Sequence, residues 1–378
     1  MKLVFVTNYY NHHQAPVAQA MYELTGYSYA FIETRLIPAE RLSMGWGREE
    51  KPGYVLQAYK SKEEKRRCLE LIYQADVVIW GSCPFSMLRR RLRAGKLTFA
   101  YSERLFKQGC SGFPFWGRAL KYFLKLAPYQ TNHFLLCASA YAAGDYNRIA
   151  LFRGRCFKWG YFPPTLAYEP QELFSLKAGN RKCSILWAGR LIGVKHPEVP
   201  VLLAERLSRS GLDFQMKILG SGELEPQVRG LIEEKGLASQ VELLGAMPPQ
   251  AVRQHMEGAD IFLFTSDSGE GWGAVLNESM NSGCGVVASC AAGSSAFLIR
   301  DGENGYLYEY GDMDELFGKV STLIRQPELR RELGRKAYCT VTEEWCASVA
   351  ARRLIELSEQ LLKKEPSPFE KGPCSLAD

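Results

Sequence analysis

The stretch DIFLFTSDSGEGWGAVLNESMNSG, residues 260–283, has the pattern of a buried strand, a glycine-rich loop and a helix. The apolar run 260–265 suits a strand that is covered on both faces, as in a parallel sheet. Three glycines follow in the loop 266–273, and helical character begins at Ala274. Glycines at such a turn let main-chain N–H groups approach an anion, and the helix N-terminus adds positive partial charge. The stretch therefore predicts a parallel α/β sheet and a loop that cradles a diphosphate.

Two glutamates, Glu270 and Glu278, stand eight positions apart in this stretch. Glu270 lies at the loop tip, where we expect it to contact a sugar hydroxyl or the reacting carbon. Glu278 lies one helical turn past Ala274, too far along to cap the helix, and its carboxylate can accept hydrogen bonds from the vicinal hydroxyls of a ribose. The alternative interpretation is that both glutamates belong to a solvated helix face.

The rest of the chain repeats the alternation of short apolar runs and helical segments. Its 378 residues favour two domains over one. Alternating strands and helices predict two Rossmann-like, doubly wound parallel-sheet domains (α/β) that face each other across a cleft. The candidate strands are KLVFVT, YSYAFIE, GYVLQAY, DVVIWG, KLTFAY, HFLLCA and CFKWGYF in the first half, and CSILWAG, FQMKILG, VELLG, DIFLFT, GVVAS and GYLYEY in the second.

A segment that is proline-rich at its start, PPTLAYEPQELFSLKAGNRK at 163–182, interrupts this rhythm and predicts a connector. We therefore assign residues 1–163 to an N-terminal domain, 164–182 to a linker and 183–345 to a C-terminal domain. Residues 346–364 have the pattern of a long helix, and the polar tail 365–378 is expected to be flexible.

The net charge of +6 hides an asymmetry between the two halves. Residues 1–163 hold 24 Lys and Arg against 11 Asp and Glu, whereas the remainder holds 23 against 30. A basic half joined to an acidic half indicates that the first half meets an anionic partner. Eleven scattered cysteines without a CxxC pair suit reduced thiols and a cytoplasmic location. No apolar run approaches the ~20 residues that span a bilayer.

An Asp-x-Asp pair at Asp312 and Asp314 raises the question of a divalent metal, because carboxylate oxygens are ligands of Mg²⁺ and Mn²⁺. The pair follows a glycine and opens a helical run, so helix capping is the better explanation. Cys284 and Cys290 have no histidine nearby to complete a zinc site. We therefore expect neither a metal nor a cofactor.

Five segments, in the same order along the chain, resemble those of the family 4 retaining glycosyltransferases, which have the two-domain GT-B fold. Glu270 and Glu278 match that family's E-x7-E motif. The other segments are AGRLIGVKHPE at 188–198, LGSGELEPQV at 219–228, VELLGAMPPQAV at 241–252 and the closing segment 283–316. The resemblance covers about residues 183–350, whereas the first half matches only in its strand rhythm.

The resemblance implies that the C-terminal domain binds a nucleotide-diphosphate sugar as substrate. Arg190 and Lys195 match the cations that bind the diphosphate and would replace the charge of a metal. Glu270 is then assigned to the sugar and Glu278 to the ribose. The remaining donor contacts fall to Gly189, Gly220, Gly222, Gly245, Ala246, Met247, Gly271, Trp272, Gly273, Ala274 and Val275.

The reaction that the resemblance implies is transfer of a hexosyl unit with retention at the anomeric carbon. UDP is the nucleotide expected from family frequency, with GDP second, and the acceptor is expected to be a glycan, a lipid-linked sugar or another glycoconjugate. In the family, a C-terminal helix such as 346–364 crosses back onto the first domain. Two other functions stay open: a nucleotide-sugar epimerase of the GT-B fold and a non-catalytic protein that binds sugar nucleotides.

The loop NYYNHHQAP, residues 8–16, follows the first strand and is expected to face the cleft. Tyr10, Asn11 and Gln14 are predicted to bind the acceptor, and His12 or His13 to act as acid or base near neutral pH. Alternatively, Asn11 and the histidines cap a helix that begins near Pro16. Where many family members carry a histidine, this chain has Tyr101-Ser102-Glu103.

Two basic segments of the first half raise the question of an anionic membrane surface. SMLRRRLRAGK at 86–96 holds four arginines and one lysine, all expected to be solvated. FPFWGRALKYFLKLAPY at 113–129 combines cations with apolar residues at helical spacing, as in helices that lie on anionic bilayers. For 113–129 we favour the alternative that its apolar face packs on the sheet. No nucleic-acid-binding motif accompanies either segment, so we expect no nucleic-acid partner.

Overall fold

The computed structural model describes residues 1–39, 50–107 and 112–377. These residues form two compact units, the first made of Met1–Pro164 and Trp345–Asp378 and the second of Thr165–Glu344. Each unit is built on one sheet in which all paired strands are parallel. The prediction of two Rossmann-like parallel-sheet domains is confirmed, and each predicted apolar run contains a strand.

The first sheet has the strand order of a doubly wound fold. Its strands are β1 (Leu3–Thr7), β2 (Tyr29–Glu33), β3 (Val55–Gln57), β4 (Val77–Trp80), β5 (Thr98–Ser102), β6 (His133–Cys137) and β7 (Cys156–Lys158). They lie in the order β3-β2-β1-β4-β5-β6-β7. The winding reverses between β1 and β4, and doubly wound sheets bind ligands at the carboxyl ends of the strands at such a point. The loop 8–14 follows β1 and stands at this position.

The helices of the first unit begin with α1 (Ala15–Leu24), α2 (Lys62–Gln74), α3 (Arg89–Arg93), α4 (Gly112–Leu126) and α5 (Ala142–Arg148). Arg91 of α3 is fully buried and donates to the main-chain oxygens of Ile72 (3.0 Å), Ala75 and Leu97 (both 2.6 Å). Burial lowers the pKa of its guanidinium to about 10. The expectation that all arginines of 86–96 are solvated is therefore wrong for Arg91, because carbonyl groups from distant segments replace the water around its charge.

Helix α4 differs from its prediction as well. Phe115 and Ala119 are buried, but Trp116, Leu120 and Leu124 are exposed. The expectation that the apolar residues of 113–129 pack on the sheet is therefore wrong for these three. The apolar residues cover a wider arc of the helix than the neighbouring elements can cover. Among the described residues, no helix is both long and apolar enough to cross a membrane.

The second sheet repeats the same topology with six strands. They are β8 (Cys183–Ala188), β9 (Phe214–Leu219), β10 (Val241–Gly245), β11 (Ile261–Phe264), β12 (Gly285–Ser289) and β13 (Tyr306–Tyr308), in the order β10-β9-β8-β11-β12-β13. The switch point of this unit lies between β8 and β11. The helices are α6 (Pro170–Ala178), α7 (Glu198–Arg209), α8 (Glu225–Glu234), α9 (Pro249–Gly258), α10 (Val275–Asn281), α11 (Ser295–Leu298), α12 (Met313–Arg325) and α13 (Pro327–Cys339).

Two local predictions concern this second unit. The side chain of Asp312 accepts hydrogen bonds from the N–H groups of Asp314 and Glu315, which confirms that the Asp-x-Asp pair caps a helix, α12. The expected linker 164–182 is instead part of the unit, because it contains α6. The buried Lys177 of this helix donates to the carbonyl oxygens of Met256 (3.2 Å) and Ala259 (2.5 Å).

The chain returns to the first unit with α14 (Ala347–Leu362), which packs on α1. Beyond it, Cys374 and Ser375 are buried, and the N–H of Lys158 donates to the carbonyl oxygen of Ser375 (2.8 Å). Leu376 forms an antiparallel bridge with Phe157 of β7. The composition of 365–378 predicts a flexible tail, but the end of the chain pairs with β7 and so covers an edge strand that would otherwise present unpaired amides.

Candidate functional site

Loops that follow neighbouring strands of the second unit bring Lys195 and Glu270 into contact. Lys195 ends a short 3₁₀ turn after β8, and Glu270 lies in the loop after β11. Their side chains form an ion pair, and each is 15% exposed. The hydroxyl of Thr265 donates to the carbonyl oxygen of Lys195 (2.7 Å), which fixes one loop to the other. Lys195 and Glu270, both predicted site residues, stand 75 positions apart in the sequence and therefore meet through the fold, at the switch point of this sheet.

Arg190, the second predicted cation, lies at the start of the same loop and its side chain is exposed. Gly189 donates its N–H to the carbonyl oxygen of Leu219 (3.0 Å) and so continues the pairing of β8 with β9. An exposed guanidinium on the loop that also carries Lys195 leaves positive charge available at the carboxyl end of β8.

His196, which the sequence analysis does not single out, joins these loops as well. Its Nδ1 lies 2.8 Å from Glu198 and its Nε2 lies 3.0 Å from Asp267. The backbone of His196 is left-handed, with φ 50°. Burial by itself lowers the pKa of the imidazole, but the hydrogen bonds to Asp267 and Glu198 outweigh burial and raise the pKa above 6.5. The His196 side chain therefore ties the Lys195 loop to the loop that carries Glu270.

The predicted glycines after β9 allow two loops to cross at close range. Gly220 has φ +136°, and a Cβ atom on it would lie 1.8 Å from the carbonyl oxygen of Gly189. A Cβ on Gly222 would lie 2.3 Å from the carbonyl oxygen of Leu191. Gly220 also donates to the carbonyl oxygen of Gly245 (2.9 Å), the residue that ends β10. These glycines are therefore required by the packing of the loops, whether or not a ligand approaches them.

Beyond β10, Ala246 is exposed and Met247 half-buried in the short loop before α9. Their side chains belong to the segment that the family resemblance assigns to the nucleobase. The loop is held at one end by the Gly220–Gly245 hydrogen bond and at the other by α9, whose first residue is Pro249.

The glycine-rich loop after β11 is anchored by its tryptophan. Trp272 is fully buried, and its indole N–H donates to Asn277 (2.9 Å), so its ring is not available to a ligand. Gly273 has φ +85°, and a Cβ there would lie 2.3 Å from the ring of Phe264. Of the main-chain N–H groups that the structure describes, those of Gly273, Ala274 and Val275 donate to no protein acceptor. The turn therefore presents amide donors at 273–275, and their binding to a diphosphate stays a prediction.

Glu278 has an environment unlike that of Glu270. Glu278 is half-buried, and desolvation raises the pKa of its carboxyl group above 4.5, while Arg253 acts in the opposite direction. Arg253 directs Nη1 to the main-chain oxygen of Glu278 (3.1 Å) and to Asn281 (3.0 Å). Among the described residues, no ion pair includes the Glu278 carboxylate. A partly desolvated carboxylate that forms no ion pair is typical of a ligand-binding position.

In the first unit, the loop after β1 divides into core and turn residues. Tyr10 is buried, with its ring edge against Phe31 and its hydroxyl 3.2 Å from that of Tyr54. The side chain of Asn11 accepts from the N–H of His13 (3.0 Å) and donates to that of Gln14 (3.3 Å). Gln14 occupies the N-cap of α1 without a side-chain cap bond. Tyr10 therefore packs in the core, while Asn11 and Gln14 hold the turn that presents the histidines.

His12 and His13 belong to a polar cluster at the carboxyl ends of three strands. Their rings lie 3.8 Å apart, and His13 stacks on Tyr161 with a centroid distance of 5.8 Å. The Tyr161 hydroxyl donates to Glu103, which also pairs with Lys107. Sequence analysis placed Tyr161 within a strand, but β7 ends at Lys158, so Tyr161 lies in the following loop. The structure thus adds Tyr161, Glu103 and Lys107 to the predicted histidines.

Comparison with known proteins agrees with this arrangement. Residues 170–340 match the family described as Glycosyl transferases group 1. An exopolysaccharide phosphotransferase of Streptomyces coelicolor is 31% identical over 212 residues, which are 55% of this chain and 22% of that protein. A putative colanic acid biosynthesis glycosyltransferase of Salmonella typhimurium is 30% identical over 156 residues, 40% of this chain and 38% of the relative. The chain thus spans less than half the length of these two relatives.

Among solved structures, the Anabaena protein HepE in complex with UDP shares the fold, with a TM-score of 0.69 and 14% identity over 96% of this chain and 99% of that one. The family expected from the five sequence segments is confirmed. Residues 170–340 of this chain are similar to the group 1 glycosyltransferases.

Proposed function

We propose that this protein is a retaining, metal-independent glycosyltransferase that transfers a hexosyl unit from a UDP-sugar to a glycan, a lipid-linked sugar or another glycoconjugate. The observation that carries the proposal is the half-buried Glu278 carboxylate, which forms no ion pair among the described residues and lies on the helix that follows the amides of Gly273–Val275. Carboxylate and amides together suit a ligand that offers hydroxyl donors at one end and phosphate acceptors at the other.

In this proposal the diphosphate lies against the amides of Gly273–Val275 and is met by Arg190 and Lys195. Glu278 accepts hydrogen bonds from the ribose hydroxyls, which compensates for the burial of its charge. The nucleobase lies against the segment 245–247. UDP is favoured over GDP because HepE, with the same fold, has been solved with UDP.

The difficult step is departure of the diphosphate, whose charge grows as the glycosidic bond breaks. Fixed cations and amides stabilise such charge most strongly, and one donor of this kind contributes ~2.7–4 kcal/mol to a transition state in other enzymes. Lys195 supplies a fixed cation, and Glu270 orients it until the donor binds. Retention follows if the leaving phosphate oxygen accepts the acceptor's proton on the same face of the sugar. The positive charges then do what a divalent metal does in other transferases.

The acceptor is assigned to the first unit, through His12, His13 and the Tyr161–Glu103 pair. These groups offer hydrogen-bond donors and acceptors suited to sugar hydroxyls. The two curated relatives are named for exopolysaccharide and colanic acid synthesis, which supports a polysaccharide or its precursor as the acceptor class.

A donor panel tests the proposal. The protein is incubated with UDP- and GDP-sugars, with and without EDTA, and released nucleotide and sugar products are measured. We expect one UDP-sugar to release UDP at a rate that EDTA does not change. The glycosidic bond of the product should have the same anomeric configuration, α or β, as the donor. Epimerised sugar nucleotide would indicate an epimerase, and binding without turnover a non-catalytic protein. Glu234→Gln changes an exposed position and is the control. If Glu278→Gln bound UDP as tightly as the wild type and this control do, Glu278 would have no role in binding the donor.

A further inference from the structure

Helix α4 carries two apolar stripes, and only one of them is covered. Phe115, Ala119 and Leu126 are buried, and their spacing of four and seven residues places them on one helix face. Trp116, Leu120, Phe123 and Leu124 recur at three- and four-residue spacing on the adjacent face, where they are 68%, 58%, 40% and 65% exposed. Single exposed apolar residues are ordinary, but four on one face form a patch that indicates an interaction surface.

The charges around this patch are almost all of one sign. Helix α4 has no Asp or Glu and contains Arg118, Lys121 and Lys125. Residues 77–144 include ten Lys and Arg but a single carboxylate, Glu103, which is already paired with Lys107. A second copy that packed patch against patch would therefore bring cations against cations, whereas an anionic surface would complement them.

Helix α3 extends the positive region at the C-terminal end of α4. The ammonium of Lys125 lies 4.7 Å from the ring centroid of Phe85, just before α3. Arg93 of α3 lines a groove together with Pro128 and Tyr129, which follow α4. Arg89 and Arg93 are exposed, whereas Arg91 and Lys96 are held by main-chain oxygens and do not contribute. The basic and apolar features thus belong to one continuous surface of the first unit.

We propose that this surface docks on an anionic lipid bilayer, with α4 lying in the plane of the headgroups. Trp116, Leu120, Phe123 and Leu124 enter the boundary between headgroups and acyl chains, where an aromatic ring with a polar N–H is well accommodated. Lys121, Arg89 and Arg93 remain at the level of the lipid phosphates. Apolar insertion and electrostatic attraction act together, and neither requires a bound substrate.

Vesicle sedimentation without any sugar nucleotide tests this docking, so its outcome is independent of the proposed activity. Full-length protein is mixed with phosphatidylcholine vesicles that contain 0 or about 30% phosphatidylglycerol. We expect binding to the anionic vesicles only, and weakening of that binding as salt rises. Leu124→Asp should weaken it about tenfold or more, because an apolar contact is lost and a like charge faces the lipid. Leu176→Asp, at an exposed leucine of the second unit, is the matched control.

Fluorescence distinguishes insertion from simple charge attraction. Brominated lipids should quench part of the tryptophan emission of the wild type. The quenched fraction should be smaller in Trp116→Phe, although six other tryptophans are present. Leu124→Asp and Trp116→Phe both change exposed positions, so the thermal midpoints of these variants should match that of the wild type. Absence of binding to anionic vesicles, or wild-type binding by Leu124→Asp, would overturn the proposal. So would concentration-dependent self-association that Leu124→Asp abolishes, because the patch would then be an interface between copies.

Discussion

Lys195 and Glu270 form an ion pair between two loops that follow different strands of the same sheet. Each side chain is largely withdrawn from water, so each is the main electrostatic partner of the other. A diphosphate that binds here has to compete with Glu270 for the ammonium group. The pair therefore holds Lys195 in position before the donor arrives and also limits how tightly the nucleotide alone can bind.

Replacement of Glu270 by glutamine should separate binding from turnover. The neutral amide releases Lys195, and we expect UDP to bind about fivefold more tightly, which corresponds to about 1 kcal/mol for a partly buried ion pair. Turnover of the UDP-sugar should fall, because Glu270 is also proposed to contact the transferred sugar. Calorimetric titration with UDP and steady-state kinetics measure the two effects. Weaker UDP binding than in the wild type would show that Glu270 does not compete with the nucleotide.

Lys195→Ala should lower turnover at saturating donor by ~10²–10³, the loss seen when one fixed donor to a developing anion is removed. Folding should change far less, by about 2 kcal/mol at most, because the half-buried Glu270 can regain water. The control is Lys182→Ala, which removes an exposed pair with Asp213 and should leave turnover unchanged. Near-normal turnover of Lys195→Ala would refute the assignment of Lys195 to the leaving group.

The strands and the glycine-rich turn were predictable because their signals are local. Each strand is an apolar run bounded by polar or glycine residues, and the turn at Gly273 combines a strand end with a helix start. The cap at Asp312 is predictable for the same reason, since the N–H donors that its side chain accepts from lie two and three residues away.

Features that depend on distant partners were not predictable. Arg91 looks like one charge in a solvated run, but the carbonyl oxygens that surround it come from 72, 75, 76 and 97. The periodicity of α4 predicts that the helix has an apolar face. It does not show how much of that face is covered by neighbouring elements of the fold. His196 acquires its role from Asp267 and Tyr310, which are remote in sequence. In each case the missing information is the tertiary position of the partner.

The loop crossing at Gly220 gives a stability prediction that does not involve a ligand. Gly220→Ala forces a Cβ into the carbonyl of Gly189 and a strained φ on alanine, so we expect a loss of more than about 2 kcal/mol in the free energy of unfolding. Gly230→Ala is the matched control, because nothing lies near its Cβ within helix α8 and alanine should stabilise the helix by up to about 1 kcal/mol. Urea unfolding measures both. Equal stability of the two variants would contradict the crossing.

His196 should make the stability of the second unit depend on pH. Its pKa in the folded state is raised above 6.5 by Asp267 and Glu198, despite the opposing effect of burial. The contribution of the imidazolium is therefore complete below pH 6.5 and is lost as the pH rises through the folded-state pKa. His196→Asn, which keeps a residue that tolerates left-handed backbone, should lower the free energy of unfolding more at pH 6 than at pH 9.

His255 provides the matched control of opposite sign. Burial, followed by Lys217, lowers its pKa below 6.5, so its contribution is present above pH 6.5 and is lost as the pH falls through the lowered value. The difference in the free energy of unfolding between the wild type and His255→Asn should therefore not become smaller between pH 6 and pH 9. If the difference for His196→Asn were the same at both pH values, the pKa of the imidazole would be equal in the folded and unfolded chains, and its charge would add no stability. The loops of Lys195 and Glu270 would then be held by hydrogen bonding without the extra charge.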